Sequence, residues 1–486
     1  MSAFTATTNG ISHRAALAVA GALAAAMALS PIGGTPSPAA EELTSQVTYL
    51  VRTAPGTAGS VADAASKTGA VVERTLRAID AVIISATPGQ AARLGSVAGV
   101  EGVTPDAPLR SKTYDATTDG TSLLNVQDAV GAREPWKNGM VGGGIGVAVI
   151  DTGVNRVAGL DMPGKVRYGP DFTPEAGTAT ANIDGYGHGT HMAGIIAGQD
   201  AGGMEWNPDR RAFYGVAPRA HIVSVKVADA SGNTTVTAVM SGLDWVLQNR
   251  WADNNNIRVV NLAFGTDSSQ DYAIDPMAHA TEKLWHAGLV VVVSAGNDGT
   301  TYGRVDNPAS NPYVIAVGAS DTRGTLTTSD DTVAGFSSRG NGVRNPDVVA
   351  PGRGIQSLRV PGSYVDVNHG STGTLDARFF RGSGTSQAAA FVSGVAAQMA
   401  HKFQQPDDLK ATLKATATRL SGFDDRAQGS GEINVAKVAA YHVSGPQWHK
   451  RSSGTGSLDS AGDIDVAARS WKARSWKGDT WAMHGG

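Results

Sequence analysis

Residues 144–151 read Gly-Ile-Gly-Val-Ala-Val-Ile-Asp, and Thr152 and Gly153 follow directly. An uninterrupted apolar run of this length is typical of a parallel strand that is buried on both faces. Parallel strands deliver functional groups at their carboxyl ends, so the carboxylate of Asp151 is a candidate for chemistry. The alternative is an Asp that merely ends a strand and caps a turn.

A second apolar run occupies residues 289–293 and leads into Ser-Ala-Gly-Asn-Asp-Gly at residues 294–299. This run predicts another buried strand, with the amide of Asn297 close to its carboxyl end. An amide in this position can donate a hydrogen bond to an oxyanion. The motif therefore adds a hydrogen-bond donor to the carboxylate of Asp151.

Two further motifs supply a base and a nucleophile. Gly-His-Gly-Thr-His-Met-Ala-Gly occupies residues 187–194, and its first histidine, His188, follows Asp151 by 37 residues. The small residues of this motif allow a tightly packed helix to begin beside His188. Arg-Gly-Ser-Gly-Thr-Ser-Gln-Ala-Ala-Ala occupies residues 381–390. It places Ser386 at the start of a helix, where free N–H groups and the helix dipole favour developing negative charge.

Each motif has another interpretation when it is taken alone. Asp-Thr-Gly occurs in aspartic proteases, but these need a second such carboxylate, and no second Asp-Thr-Gly or Asp-Ser-Gly is present. The spacing of His188 and His191 is compatible with a metal site, but no acidic residue or third histidine stands at the usual helical offset. We therefore expect His191 to be structural. The Gly-Ser-Gly-Thr-Ser run is also compatible with an ordinary loop.

Composition narrows the class of protein. The chain has 486 residues, 41% of them apolar and 17% charged, which is compatible with a folded soluble protein. Lys plus Arg number 40 against 43 for Asp plus Glu, so the basic field that nucleic-acid binding needs is missing. The sequence has no Cys, which excludes disulfides, thiol nucleophiles and thiolate zinc sites. Any nucleophile must be an oxygen or an amine.

The first 40 residues predict an export signal. Only Ala, Leu, Val, Gly and Met occur from Ala15 to Leu29, after Arg14, and small residues follow. Such a run is too short to span a bilayer comfortably and is typical of a signal peptide with a cleavage site. An Ala-rich extension or a retained membrane anchor are the alternatives.

Residues 41–112 predict a small α+β domain. Their pattern indicates strand, helix, strand, strand, helix and strand, with the first strand near Val47 and a helix that begins at Pro88. This order suits the split βαβ arrangement, a small sheet with two helices on one face. The segment contains no catalytic constellation of its own.

The motifs in their order resemble the subtilisin-like serine proteases, the subtilases. The resemblance rests on Asp-Thr-Gly, His-Gly-Thr-His, Gly-Asn and Gly-Thr-Ser and spans roughly residues 140–435. It implies an α/β fold for residues 113–444, a doubly wound, mostly parallel sheet with helices on both faces. It also implies that residues 41–112 are a propeptide, which acts as an intramolecular chaperone and inhibitor.

The resemblance assigns a role to each of four residues. Ser386 is implied as the nucleophile, His188 as the general base and later acid, and Asp151 as the group that orients His188. Asn297 and the Ser386 backbone N–H are implied as the oxyanion hole. The family also pairs substrate backbone along strand edges, which here implies Leu262, Ala263, Phe264, Gly265, Ala295 and Gly296.

Three positions qualify this resemblance. The family usually has Met and Pro where this chain has Gln387 and Ala390, although neither position supplies the chemistry. Asp298, beside the oxyanion Asn, would make a basic substrate side chain acceptable near the specificity pocket. An apolar preference is the broader expectation for the family.

No cofactor is needed for this chemistry, but a structural calcium ion is an additional hypothesis. Residues 199–209 form an oxygen-rich segment, and subtilases often bind calcium near this place. The candidate ligands are Asp200, Glu205, Asn207 and Asp209. A solvated loop accounts for the same residues equally well.

Residues 445–486 change in character and predict a disordered, Trp-containing tail. Trp471, Trp476 and Trp481 recur every five residues, a period that fits neither a helix nor a strand. Basic side chains surround these aromatics, so weak adhesion to the cell envelope is the alternative to a solvated extension.

Together these observations predict a secreted, autoprocessing serine endopeptidase that acts on proteins or peptides. Its own propeptide would inhibit it until the junction, expected between Pro105 and Asn125, is cut. The alternative is a secreted binding or structural protein on the same scaffold, whose tail adheres to the envelope.

Overall fold

The computed structural model describes residues 45–106, 114–201, 211–266, 268–457 and 471–472. The chain divides into two compact units, Met1–Lys112 and Thr113–Gly486. The predicted signal peptide lies outside the described residues. Within the described ranges, no helix is long and apolar enough to cross a membrane.

The first unit has the element order that the sequence predicts. A sheet of antiparallel neighbours has the order β2-β3-β1-β4, so β3 lies between the two strands that the first helix connects. The second helix begins at Pro88, and Thr87 and Gln90 cap it reciprocally, with Gln90 Oε1 2.8 Å from the Thr87 N. The elements are β1 (Val47–Thr53), α1 (Ala58–Lys67), β2 (Val71–Leu76), β3 (Ala81–Ala86), α2 (Pro88–Leu94) and β4 (Val100–Pro105).

A parallel sheet forms the centre of the second unit. Its parallel strands have the order β6-β7-β5-β9-β10-β11-β13, and β12 pairs antiparallel with β11. The strands are β5 (Gly146–Asp151), β6 (Val166–Asp171), β7 (His221–Lys226), β8 (Asn233–Thr234), β9 (Ile257–Leu262), β10 (Val290–Ser294), β11 (Ile315–Asp321), β12 (Thr332–Val333), β13 (Val348–Pro351), β14 (Ile355–Leu358), β15 (Phe379–Gly382) and β16 (Trp471–Lys472). Every residue of β5, β7 and β10 is buried, and burial on both faces explains the apolar runs of β5 and β10.

Helices cover both sides of this sheet, as expected for the α/β class. The helices are α3 (Leu123–Ala129), α4 (His188–Ala197), α5 (Val236–Asn249), α6 (Pro276–His286), α7 (Tyr364–Gly373), α8 (Thr385–Met399), α9 (Pro406–Thr416), α10 (Asp425–Gln428) and α11 (Val435–Ala440). Helix α8 is buried along its whole length and packs on α4 and on the central strands β9, β10 and β11. Helices α5 and α6 pack on each other and on the sheet.

The sequence predicts a disordered tail from residue 445, but the structure differs for residues 445–457, which we call the C-terminal strap. The strap contains neither helix nor strand and is hydrogen-bonded to other parts of the second unit: the Tyr313 hydroxyl donates to His449 O at 2.7 Å, and the Gly456 N–H donates to Ile274 O at 2.7 Å. The short strand β16 pairs antiparallel with β8. Trp476 and Trp481 lie outside the described residues. Because the strap has no periodic apolar face, its sequence gives no sign of these contacts.

Candidate active site

The predicted catalytic residues stand at the ends of four elements of the second unit. Asp151 is the last residue of β5, and Asn297 follows β10 by three residues. His188 is the first residue of α4, and Ser386 is the second residue of α8. Because β5 and β10 run parallel in one sheet, their carboxyl ends meet at one edge. Helix α4, which begins with His188, packs on α8, which carries Ser386.

His188 and Asp151 form a buried pair. His188 Nδ1 lies 2.8 Å from Asp151 Oδ1 and 3.0 Å from Oδ2, and the two side chains are 1% and 0% exposed. The Thr152 N–H donates to the same carboxylate at 2.8 Å. A carboxylate at Nδ1 favours the tautomer with the proton on Nδ1, so Nε2 is the basic nitrogen.

The Ser386 hydroxyl donates to Ala263 O at 2.7 Å. Ala263 directly follows β9, a central strand of the sheet, so this bond connects the start of α8 to the carboxyl end of β9. The helix continues without a break through Gln387 and Ala390, both buried. The replacement of the Met and Pro usual in the family therefore leaves the helix intact.

A network around Thr385 orients Asn297. Asn297 Oδ1 accepts from the Thr385 N–H at 2.9 Å and from the Thr385 hydroxyl at 3.0 Å. The Gly296 N–H in turn donates to Thr385 Oγ1 at 3.2 Å. These bonds hold Oδ1, and the donor atom Nδ2 lies beside Gly384. A Cβ added to this glycine would be 3.4 Å from Nδ2. The same position lies 3.6 Å from the Ser386 N, so the amide and the start of α8 face one small space.

His191 is structural, as the sequence analysis expects. Its ring is 1% exposed, and Nε2 lies 3.3 Å from Phe380 O. Burial, with the neighbouring His188, lowers the pKa of His191 to about 3, so the ring is neutral. Among the described residues, no group of three His, Asp or Glu side chains could hold a metal ion.

Asp184 is a supporting residue that the sequence analysis missed. This carboxylate is 0% exposed and accepts from the Gly187 N–H at 2.6 Å and the Thr190 N–H at 2.8 Å, both at the start of α4. It also accepts from the Thr152 hydroxyl at 2.8 Å. Asp184 thus ties the residue after the acid to the helix that carries the base. An acid four residues before His188 is the available sequence signal, since acids satisfy helix N-termini.

Lys226 is a second supporting residue that was missed. Its side chain is 0% exposed, and Nζ donates to Thr152 O at 2.6 Å and to Ala228 O at 2.8 Å. Glu175 lies 3.2 Å from the ammonium, and its other carboxylate oxygen accepts from the Ala230 N–H at 2.8 Å. The pair therefore connects the end of β5 to the loop that leads to β8. A Lys at the end of an apolar strand was the sequence signal.

The predicted substrate-binding residues come together at the sheet edge. They end or follow the neighbouring parallel strands β9 and β10, and all of them are buried. They are Leu262, Ala263, Phe264, Gly265, Ala295 and Gly296. Because the side chains of Leu262 and Phe264 belong to the core, only their backbone is suited to pair with a peptide.

The calcium hypothesis gains no support from the structure. The Asp200 carboxylate pairs with Arg378 and accepts from the Phe213 N–H at 2.8 Å, so protein groups already occupy it. The other candidate ligands, Glu205, Asn207 and Asp209, lie outside the described residues.

Comparisons with known proteins agree with this geometry. The sequence model of the Subtilase family matches residues 142–431, which include all four predicted catalytic residues. Serine protease AprX of Bacillus subtilis (strain 168) is 34% identical over 323 residues, or 64% of this chain and 70% of that protein. M-protease of Shouchella clausii (strain KSM-K16) is 33% identical over 66% of this chain and 71% of its own. Subtilisin Savinase of Lederbergia lenta is 33% identical over 63% of this chain and 94% of its own.

Proposed function

The chain belongs to the Subtilase family and is a serine endopeptidase, and on this premise we propose that Asp151, His188 and Ser386 are its catalytic triad. The observation that carries the proposal is the buried contact of 2.8 Å between His188 Nδ1 and Asp151. This contact leaves Nε2 as the base for the Ser386 hydroxyl. The substrates are proteins or peptides.

In the proposed mechanism the Ser386 hydroxyl turns from Ala263 O towards His188 Nε2 and attacks the scissile carbonyl carbon. His188 takes the hydroxyl proton as the new C–O bond forms, and Asp151 stabilises the resulting imidazolium. The same proton then passes to the leaving amine as the C–N bond breaks. Water, activated by His188, hydrolyses the acyl-enzyme and restores Ser386.

The oxyanion of the tetrahedral intermediate is proposed to bind Asn297 Nδ2 and the Ser386 N–H. The hydrogen bonds from Thr385 to Asn297 Oδ1 support this role because they fix the amide before substrate arrives. A preorganised donor needs no reorientation as the negative charge develops.

Hydrolysis of a fluorogenic peptide by the purified chain and two variants tests the triad. Ser386→Ala should lower turnover to the small residual rate that substrate binding and the oxyanion hole alone provide. Asp151→Asn should lower kcat by about 10⁴ because His188 loses its orienting partner. Thr237→Ala, on the exposed side of α5, is the control and should retain full activity. Full activity of Ser386→Ala would refute the proposal.

Secretion and self-maturation complete the proposed function. The first unit has the split βαβ order expected of a propeptide, and the boundary between the two units follows Lys112. Ser122 and Leu123, at the start of α3, are buried in the second unit, so we place the self-cleavage site upstream of Ser122. The propeptide would then act as inhibitor of the enzyme from which it is cut.

N-terminal sequencing of the exported protein tests this maturation. The active chain should yield a new N-terminus between Pro105 and Ser122, whereas Ser386→Ala should remain a full-length proprotein. Efficient processing of the purified variant would contradict self-cleavage.

The remaining alternative function is retention in the cell envelope through the tail, independent of catalysis. If a chain without the tail divides between envelope and medium in the same way as the full chain, this alternative is excluded.

A further inference from the structure

Asp306 is a buried acid close to the proposed nucleophile and has no role in the triad. It lies in the connection between β10 and β11, and the residue is 6% exposed. Its N–H donates to Ala295 O at 3.0 Å, and its own carbonyl oxygen accepts from the Ser310 N–H at 3.0 Å. Both bonds fix the backbone from which the carboxylate projects.

Two glycines provide the space that this carboxylate occupies. A Cβ on Gly296 would lie 2.4 Å from Asp306 Oδ2, and a Cβ on Gly265 would lie 2.8 Å from the Asp306 Cβ and 3.4 Å from Oδ2. Any larger residue at Gly296 would displace the carboxylate, and the φ of +108° at this position also favours glycine. The Asp306 side chain therefore lies against the backbone of two segments at once.

These two segments flank the proposed nucleophile. Gly265 is two residues beyond Ala263, whose carbonyl oxygen accepts from the Ser386 hydroxyl, and Gly296 directly precedes Asn297. Two residues of extended chain span about 7 Å, a distance that the stem of a Lys or Arg side chain can cover. A substrate residue whose carbonyl carbon is attacked by Ser386 would thus have its side chain within reach of Asp306.

We propose that Asp306 determines specificity, and that the enzyme cleaves preferentially after Arg or Lys. The inference rests on the proposed function and names its substrate class. A cation beside this carboxylate would form a charge-assisted hydrogen bond in a site shielded from water. An apolar side chain would desolvate the same carboxylate without supplying a partner. The acid that determines specificity would then be Asp306 and not Asp298, because the three atoms nearest to a Cβ on Gly296 all belong to the Asp306 carboxyl group.

The test compares peptide anilides that differ only in the residue before the cleaved bond: Arg, its neutral isostere citrulline, and Phe. The mature enzyme should favour Arg over citrulline by at least about tenfold in kcat/KM, the range expected for one hydrogen bond to a charged group. Asp306→Asn should bring this ratio close to one while hydrolysis of the Phe substrate persists. Asp298→Asn removes a neighbouring charge and should leave the ratio unchanged.

Titration with a fluorophosphonate counts the active sites in each preparation and separates two kinds of failure. A chain that neither reacts with the reagent nor hydrolyses any substrate would contradict the proposed function itself. A reactive wild-type enzyme that cleaves citrulline as well as Arg would overturn the inference even if Asp306→Asn does not fold. An equal fall of the Arg to citrulline ratio in both variants would also overturn it, because it would indicate a general field and not a contact.

Discussion

At the scale of single residues, Asn297 is the position where rate and affinity should separate. Its Nδ2 donor would act on the oxyanion, which exists only after attack on the carbonyl carbon. Asn297→Ala should lower kcat by roughly 10² to 10³ with little change in KM, because it removes an interaction made mainly in the transition state. Steady-state kinetics with one peptide substrate measures both constants. A loss confined to KM would contradict the oxyanion role.

Glu432 should make stability depend on pH. Its side chain is 0% exposed, and burial together with the adjacent Asp331 raises the pKa of Glu432 well above its ordinary value. Asp330 and Asp321 add negative charge near the pair, while Arg323 opposes it. A carboxyl group whose pKa is raised on folding stabilises the fold below its unfolded-state pKa. That contribution is lost as pH rises through the folded-state pKa.

Glu432→Gln removes this titration but keeps a polar side chain for the Ser320 hydroxyl, which donates to Glu432. The melting temperature of the variant relative to wild type should therefore increase as the pH rises from about 5 to about 9. The matched control is Glu134→Gln, because the Glu134 side chain is 56% exposed. Its melting temperature relative to wild type should not change with pH. A constant difference for Glu432→Gln as well would rule out the coupling.

The sequence predicts the proposed catalytic residues better than it predicts the residues that hold them in place. Asp151, His188 and Asn297 are candidates from the sequence alone because each stands in a short motif at a predicted element boundary. Asp184 and Lys226 act through backbone and side-chain atoms that only folding brings near. No local pattern encodes the contact of Asp306 with two glycines that follow separate strands, so this acid could be found only in the structure.

At the scale of elements, the C-terminal strap should contribute to stability. The Ser452 N–H donates to Glu282 at 3.1 Å, and Glu282 is only 3% exposed. Gln447 donates to Tyr313 O at 3.1 Å and to Asp407 at 2.8 Å. Removal of the strap would take these donors from buried or partly buried acceptors, at a cost of about 1–3 kcal/mol for each group left unsatisfied.

Two truncations separate the strap from the rest of the tail. A chain that ends after residue 444 should melt several degrees below the full-length enzyme, whereas one that ends after residue 457 should keep most of the stability. Thermal unfolding followed by circular dichroism measures both. If the shorter chain melts at the same temperature as the longer one, the strap contacts contribute nothing measurable.

The central strands and helices were predictable, and the strap was not, for a physical reason. Strands such as β5 and β10 are covered on both faces, so their sequences are continuous apolar runs. The strap is held by hydrogen bonds from its backbone and polar side chains to remote elements. Such bonds make few demands on residue type, so composition alone made residues 445–457 resemble a solvated extension.

At the scale of the whole molecule, the parallel sheet explains how distant residues form one site. Asp151 and Ser386 are 235 positions apart in the sequence, yet the carboxyl edge of the sheet and the packing of α4 on α8 bring their elements together. The α/β class and the family follow from motifs that occupy this edge. The proposed propeptide and the predicted export signal are separate segments, whose functions would depend on processing of the chain.

The most direct test of the central claim is the site of covalent modification by a fluorophosphonate, mapped by mass spectrometry of the digested, mature enzyme. We expect one adduct, on Ser386, because only a serine paired with a base attacks the reagent rapidly. His188→Ala should slow the labelling strongly, while circular dichroism shows an unchanged fold. An adduct on another residue, or labelling of Ser386→Ala at the wild-type rate, would contradict the proposed triad.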